Sequence, residues 1–134
     1  MSSLVTDTHA FIWYSTASPL LSGAARTELS KAEQSISPVF VPSIVVVEMR
    51  YLVEKRTITE QEYMTFVAIL RNPASVFTPQ PLDLDIAEKL SLIPRAIVPD
   101  MPDRIIAATA LALNLPLVTR DHKIRALSNI TTIW

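Results

Sequence analysis

The chain contains no cysteine, which excludes disulfide bonds, thiol catalysis and zinc sites built on thiolates. Its net charge of −1, from 12 basic and 13 acidic residues, provides no overall attraction for nucleic acid, so any phosphate contact must be local. No apolar run approaches the roughly 20 residues of a membrane span, because residues 39–47 are interrupted by Pro42 and Ser43. The amino terminus has neither a basic flank nor a long apolar stretch, so we expect no signal peptide and a cytoplasmic location.

What is present is an unusually apolar composition for a small chain. Apolar residues make up 49% of the 134 residues, there is one glycine, and the mean hydropathy is +0.31. A globule of this size has little interior in which to hide such a composition, so we expect some apolar surface to face a partner. The length fits a single domain over residues 1–134, long enough to bury a core without disulfides or a structural metal.

Short β-rich segments alternate with helical patterns along the whole chain. Strands are predicted over residues 3–6, 36–41, 76–78, 115–119 and 130–133. Helices are predicted over residues 9–14, 44–56, 103–113 and 121–127, with Pro102 in the first turn of the third of these. Three more helices are predicted from their caps: from Ser22 to about residue 34, from a capping box at Thr59 and Glu62 to about residue 71, and from Asp83 to about residue 92. Such alternation predicts an α/β fold with a mostly parallel sheet and helices on both faces. In these sheets ligands bind beyond the carboxyl ends of the strands.

Four carboxylates lie where a core segment gives way to a turn or a helix. They are Asp7, Glu48, Asp103 and Asp121. Acids at the ends of core elements can converge on one divalent metal ion. Asp7 and Asp103 could instead simply cap or charge a helix start. Glu48 is harder to explain in that way, because it interrupts the strongly apolar helix IVVVEM, where a carboxylate is costly without a partner charge.

Three further residues could support such a site. Asp100 precedes Asp103 by three residues and is either a loop acid or an outer ligand. His9 and His122 flank two of the acids and raise the alternative of a transition-metal site, although each could equally orient a neighbour or face solvent.

Carboxylate ligands favour Mg²⁺ or Mn²⁺ over zinc, and such ions support in-line hydrolysis of a phosphodiester. Glu48 or Asp103 could also act as the base that orients the water, and the sequence does not separate ligand from base. Basic residues near the acids are candidate phosphate contacts or ordinary surface charges: Arg50, Arg104, Arg120, Lys123 and Arg125.

The segments VTDTHAFIWY, SIVVVEM and PDRIIAATALALNLPLVTRDHKI, followed by a short closing strand ending in Trp134, resemble the PIN domain, and specifically VapC-type toxins of toxin–antitoxin pairs. The resemblance covers essentially the whole chain in the expected order. It implies a three-layer α/β/α fold with about five strands and an endoribonuclease whose acidic cluster (Asp7, Glu48, Asp103 and Asp121) binds Mg²⁺ or Mn²⁺. It also places the Thr119 hydroxyl beside that cluster and gives His9 a supporting role.

The resemblance further implies an RNA substrate, an antitoxin that lies in an apolar groove, and a homodimer. The helices carrying Met49, Tyr51, Phe66 and Leu70 could provide that groove or could simply pack the core. Two alternatives stay open: a PIN-type nuclease of RNA processing, and a catalytically silent binding module of the same fold. A phosphorylated receiver domain is disfavoured, because the chain lacks paired acids after its first strand and an acceptor Asp after its third.

Overall fold

A five-stranded parallel sheet forms the centre of the protein in the computed structural model, which describes residues 3–134. The strands are β1 (Leu4–Thr6), β2 (Val39–Pro42), β3 (Phe77–Gln80), β4 (Leu117–Val118) and β5 (Thr132–Ile133). The helices are α1 (Thr8–Ser15), α2 (Gly23–Gln34), α3 (Ser43–Glu54), α4 (Glu60–Arg71), α5 (Leu84–Lys89), α6 (Met101–Leu113) and α7 (His122–Arg125), with a 3₁₀ turn over Leu90–Leu92. The three-layer α/β/α fold with about five strands is therefore confirmed.

The order of the strands across the sheet is β3-β2-β1-β4-β5, and every neighbouring pair is parallel. From β1 the chain first builds outward through β2 to β3, then returns to the other side of β1 with β4 and β5. The direction of strand addition therefore reverses between β1 and β4. In open parallel sheets a reversal of this kind leaves a crevice at the carboxyl ends of the two strands.

The core lies on both faces of the sheet. All three residues of β1 are buried, without the alternation of a half-exposed strand, because helices cover both sides of a parallel sheet. Helix α6 contains six consecutive buried residues, Ile105–Ala110, and its alanines allow neighbouring elements to approach closely. Among residues 3–134 no helix is long and apolar enough to span a bilayer.

Most predicted helix starts agree with the structure. The Ser22 hydroxyl accepts a hydrogen bond from the Ala25 amide, and Thr59 and Glu62 form the expected reciprocal capping box. Asp83 caps α5 through the Ile86 amide. Pro102 occupies the first turn of α6, but this helix begins at Met101, two residues before the predicted start, because Asp100 provides its cap.

Other predicted boundaries were wrong by a few residues. The second strand begins at Val39 instead of residue 36, because Ile36 adopts a left-handed conformation (φ 53°) that closes α2 and cannot continue a strand. Similarly, α3 ends at Glu54 because Arg56 is left-handed (φ 60°). The last two strands are shorter than predicted, at two residues each, and the helix predicted to residue 92 ends as a 3₁₀ turn.

Candidate active site

Asp7 directly follows β1 and caps α1. Its Oδ1 atom accepts a hydrogen bond of 2.9 Å from the Ala10 amide. The chain turns from strand to helix in one residue, so the carboxylate is held at the carboxyl end of the central strand. The capping interaction uses only one of the two carboxylate oxygens.

Asp121 similarly lies between a strand and a helix: it follows β4 by three residues and caps α7. Its Oδ1 atom accepts hydrogen bonds from the amides of Lys123 (2.9 Å) and Ile124 (3.0 Å). The buried Thr119 hydroxyl accepts a hydrogen bond from the Asp121 amide and also lies against the Asp7 carboxylate. Thr119 therefore joins the ends of the two adjacent strands β1 and β4.

Glu48 reaches the same region from the second turn of α3. Because α3 begins immediately after β2, this turn stands above the carboxyl end of β2, beside β1. The buried Thr8 hydroxyl donates a hydrogen bond of 2.5 Å to Glu48 Oε1. This interaction fixes the orientation of Glu48. The other three acids predicted from the sequence lie at a cap or in the first turn of a helix.

Asp100 and Asp103 occupy the cap and the first turn of α6. Asp100 Oδ2 accepts a hydrogen bond of 3.1 Å from the Asp103 amide. One carboxylate oxygen from each of Glu48, Asp100 and Asp103 lies within 4.8 Å of the other two. Asp100 is thus a central member of the acidic group, whereas the sequence placed it only as a possible outer ligand.

The acids line one open cavity of about 470 Å³ at the reversal between β1 and β4. Its lining residues are Asp7, Thr8, His9, Trp13, Glu48, Asp100, Asp103, Ile106, Arg120 and Asp121. All four acids predicted from the sequence are therefore brought to one place, together with Asp100 and His9. His122, the second half of the alternative imidazole site, is exposed on α7 and does not line the cavity.

The family model of the PIN domain matches residues 4–130. The chain belongs to the PIN domain family. The match contains strands β1 to β4, ends two residues before β5, and includes every residue that lines the cavity. Among curated proteins no sequence matches significantly.

Solved structures share the fold of this PIN domain over nearly its whole length. A chain in the structure of VapBC2 from Rickettsia felis, bound to a DNA fragment from their promoter, has 18% identity and a TM-score of 0.71, with 97% of this chain and 96% of that chain covered. A chain in FitAcB from Neisseria gonorrhoeae has 20% identity and a TM-score of 0.65, with 96% and 95% covered. A chain in a toxin–antitoxin complex from Klebsiella pneumoniae has 26% identity and a TM-score of 0.61, with 96% of each chain covered.

Burial and repulsion from neighbouring carboxylates disfavour the charged forms of Asp7, Glu48 and Asp103 in this PIN domain. Burial, together with neighbouring carboxylates of which Asp100 has the largest effect, raises the pKa of Asp103 to about 7. Burial likewise raises the pKa of Asp7 to about 6, although hydrogen bonds from Thr119 and Ala10 oppose the change. Burial also raises the pKa of Glu48, against the hydrogen bond from Thr8. The cluster is therefore electrostatically strained when it is fully ionised.

This donor set fits a hard divalent cation. Opposite ligands around Mg²⁺ lie about 4 Å apart, which is compatible with the spacing of the Glu48, Asp100 and Asp103 oxygens. All the side chains in this group offer oxygen, with no thiolate. A bound cation would also relieve the repulsion that raises the pKa of Asp103.

The basic residues named from the sequence occupy different surroundings. Arg120 is exposed and lines the cavity. Arg104 instead donates hydrogen bonds of 3.0–3.2 Å to the carbonyl oxygens of Leu90 and Ile93, so it holds the segment before α6. Arg50 forms a two-pronged ion pair with Glu60 and lies 4.2 Å from the centre of the Tyr63 ring. Lys123 and Arg125 are exposed on α7, outside the cavity lining.

Three cavity residues were not identified from the sequence: Thr8, Trp13 and Ile106. Thr8 follows Asp7 directly, and a hydroxyl beside a capping Asp was a usable signal. Its partner Glu48 lies 40 residues away, however, and no local pattern predicts that contact. Trp13 and Ile106 lie on apolar helices, where side chains facing a cavity look the same as core side chains.

Proposed function

We propose that this PIN domain is a metal-dependent endoribonuclease that acts as the toxin of a toxin–antitoxin pair. The observation that carries the proposal is the convergence of five carboxylates on one cavity, of which Asp103 has its pKa raised to about 7. Carboxylates packed together at this cost are typical of sites that hold a cation. We propose Mg²⁺ or Mn²⁺ as the ion, because the ligands are oxygen atoms.

The chain's own residues would divide the work as follows. Glu48, Asp100 and Asp103 offer closely spaced ligand oxygens, and Asp7 and Asp121 each offer an oxygen beyond the one used in a helix cap. Thr8 and Thr119 orient Glu48 and Asp7 by hydrogen bonding. A cation held there would supply an activated water and neutralise charge developing on the phosphate. Glu48 and Asp103 are the candidates for accepting the proton of that water.

Arg120 is our candidate for the phosphate contact, since it extends into the cavity from the connection between β4 and α7. Within residues 3–134 it has no carboxylate at ion-pair distance, in contrast to Arg50. It adds a positive charge to a cavity lined by five acids, which would oppose the repulsion of an RNA backbone.

The toxin assignment draws on the similarity to chains from toxin–antitoxin complexes, including the Klebsiella pneumoniae structure. It is compatible with an exposed apolar strip on α3, where Val47 and Tyr51 lie one turn apart and are 49% and 59% exposed. Of the residues considered from the sequence as lining a groove, Met49, Phe66 and Leu70 are instead buried in the core. We propose that an amphipathic antitoxin segment covers the exposed part.

The nuclease proposal is tested by incubating purified protein with total cellular RNA in Mg²⁺ or Mn²⁺. Asp7→Asn and Asp103→Asn should each lose cleavage at least ~100-fold, because each removes a charged ligand. The matched control is Asp85→Asn, which makes the same change at an exposed acid in the first turn of α5. Equal cleavage by the four proteins would contradict an active site built on these acids.

The toxin proposal requires a second test, because a nuclease of RNA processing would pass the first. Induction of the native chain in a bacterial host should arrest growth, whereas Asp103→Asn at equal abundance should not. Cleavage in vitro combined with normal growth would favour the RNA-processing enzyme. Absence of both would favour a binding module.

A further inference from the structure

One wall of the cavity is built from planar side chains instead of acids. Trp13 on α1 is half-buried and lines the cavity. The Arg120 guanidinium carbon lies over its ring, 4.6 Å from the ring centre. The His9 ring lies 5.3 Å from the Trp13 ring and is tilted by 41°. We call His9, Trp13 and Arg120 the planar wall.

The planar wall is supported on the side away from the cavity, and two of its side chains are exposed to the cavity. Trp134, at the end of the chain, packs against Trp13 with ring centres 6.0 Å apart, which supports the ring from outside the cavity. His9 and Arg120, in contrast, are exposed side chains that line the cavity. Neither is needed to close the core, since the buried side of α1 is formed by Thr8, Ala10, Phe11 and Ile12.

The acids and the planar wall share one space large enough for a nucleotide. Asp7 lies two residues before His9, and Asp121 directly follows Arg120, so the two groups border each other at the ends of β1 and β4. The cavity volume of about 470 Å³ lies within the range of small-ligand sites. A phosphate at the acids would have a neighbouring nucleoside beside the planar wall.

This inference rests on the proposed nuclease function and narrows its substrate. We propose that the planar wall of His9, Trp13 and Arg120 is a stacking subsite for an unpaired nucleobase adjacent to the phosphate that is cleaved. Aromatic rings and arginine planes are the usual stacking partners of bases in single-stranded RNA. A base within a duplex has both faces covered by its neighbours and cannot use the wall. The planar wall therefore contributes to the binding of single-stranded RNA and not to that of a duplex.

The proposal is tested by binding, in an Asp103→Asn background that does not require turnover. The probes are fluorescently labelled single-stranded oligoadenylate RNA and an RNA duplex of the same length, in Mg²⁺. Arg120→Lys keeps the charge but removes the plane. We expect it to weaken oligoadenylate binding roughly tenfold, the lower part of the range for one stacked base, while duplex binding changes less than about twofold. His9→Leu should act in the same direction.

Arg71→Lys is the matched control, because Arg71 is exposed in the last turn of α4 and does not line the cavity. It should leave both affinities unchanged. Equal weakening of single-stranded and duplex binding by Arg120→Lys would overturn the stacking proposal and leave Arg120 as a phosphate contact. Unchanged oligoadenylate binding would overturn it as well.

Substitutions of Trp13 could prevent folding, so its contact with a base is tested through its own fluorescence. The chain has two tryptophans, so Trp134→Phe leaves Trp13 as the only one. Oligoadenylate should quench Trp13 emission and the duplex should not, and absence of quenching at saturating oligoadenylate would overturn the proposal. Both measurements are independent of cleavage, so a protein that binds as expected but cuts no RNA would refute the nuclease proposal and leave the subsite intact.

Discussion

Three of the five acids at the cavity also cap helices. Asp7, Asp100 and Asp121 each cap a helix, and the amide hydrogen bonds engage one oxygen of each carboxylate. The capping role considered from the sequence is confirmed for Asp7, whereas Asp103 lies in the first turn of α6 and Asp100 is its cap. The cap holds each side chain in place, and its amide hydrogen bonds use only one of the two carboxylate oxygens.

Asp103 differs, because no hydrogen bond contributes to its pKa, which burial and neighbouring acids raise to about 7. Asp103→Asn should therefore stabilise the metal-free protein above pH 7, by on the order of 1 kcal/mol after allowance for solvent screening. The same change should abolish RNA cleavage. Thermal unfolding in a chelating buffer at pH 8 tests the first part, and a midpoint below that of the native chain would contradict it.

Thr8 positions Glu48 through a hydrogen bond of 2.5 Å, although it offers no metal ligand of its own in this account. Thr8→Val keeps the shape of the side chain but removes the hydroxyl, so the pKa of Glu48 should rise further and Mn²⁺ affinity at pH 7 should fall about tenfold. Thr8→Ser should restore most of that affinity. Calorimetric titration with Mn²⁺ measures both, and equal affinities for the Val and Ser variants would show that the hydroxyl has no role.

At the scale of elements, the site depends on where helices begin. Helix α6 starts at the carboxyl edge of the sheet, and its cap and first turn deliver Asp100 and Asp103 together. The sequence predicted the helix, but it placed the start at Asp103 and ranked Asp100 lower. The reason is physical, because a capping Asp and a ligand Asp carry the same local signal, and only the position of Glu48 across the cavity distinguishes them.

Two substitutions separate the cap from the charge at Asp100. Asn is as good a cap as Asp, so Asp100→Asn should retain stability while weakening Mn²⁺ binding. Asp100→Ala should lose both, with a stability cost of about 1 kcal/mol. Thr59→Ala, which breaks the capping box of α4, is the matched control. Thr59→Ala should lower the free energy of unfolding by a similar amount and leave Mn²⁺ affinity unchanged. Equal Mn²⁺ affinities of Asp100→Asn and the native chain would show that Asp100 is not part of the site.

Strand boundaries were the weakest part of the sequence prediction. A strand was predicted over residues 36–41 despite Pro38, but the left-handed Ile36 belongs to the end of α2. β4 and β5 are each two residues long, because only Leu117 and Val118 of β4 pair with β1 and with β5. Apolar character continues outside the paired residues, so composition alone could not locate the ends.

At the scale of the whole molecule, the alternation of strands and helices was sufficient to predict the parallel sheet. The parallel sheet also determined the position of the candidate site. Asp7 and the Thr119–Asp121 segment follow β1 and β4, the two strands between which the direction of strand addition reverses. The identity of a partner does not follow in the same way. Val47 and Tyr51 are among the exposed large apolar residues, and whether they are covered depends on a second chain.

The acidic cavity should also govern the stability of the whole molecule as a function of pH. Asp7 and Asp103 have pKa values of about 6 and 7 in the folded protein, above the ordinary value of 3.8. The folded state therefore binds more protons than the unfolded state between about pH 4 and 7, and this contribution to stability is lost as the pH rises through that window.

Metal-free protein should accordingly melt at lower temperature at pH 8 than at pH 5.5, and saturating Mn²⁺ should remove most of the difference. The measurement is thermal unfolding across this range with chelator or with Mn²⁺. The double variant Asp7→Asn, Asp103→Asn should lack most of the dependence. Stability of the metal-free native chain that rises from pH 5.5 to pH 8 would contradict the assigned charge states.

The central claim is that water attacks an RNA phosphodiester at the acidic cavity. The most direct measurement is the chemistry of the fragment ends after cleavage in Mg²⁺. In-line attack by water displaces the 3′ oxygen and should leave a 3′-hydroxyl and a 5′-phosphate, with no cleavage by Asp103→Asn. Ends carrying a 2′,3′-cyclic phosphate would mean that the ribose hydroxyl was the nucleophile, and they would contradict the proposed role of the five acids.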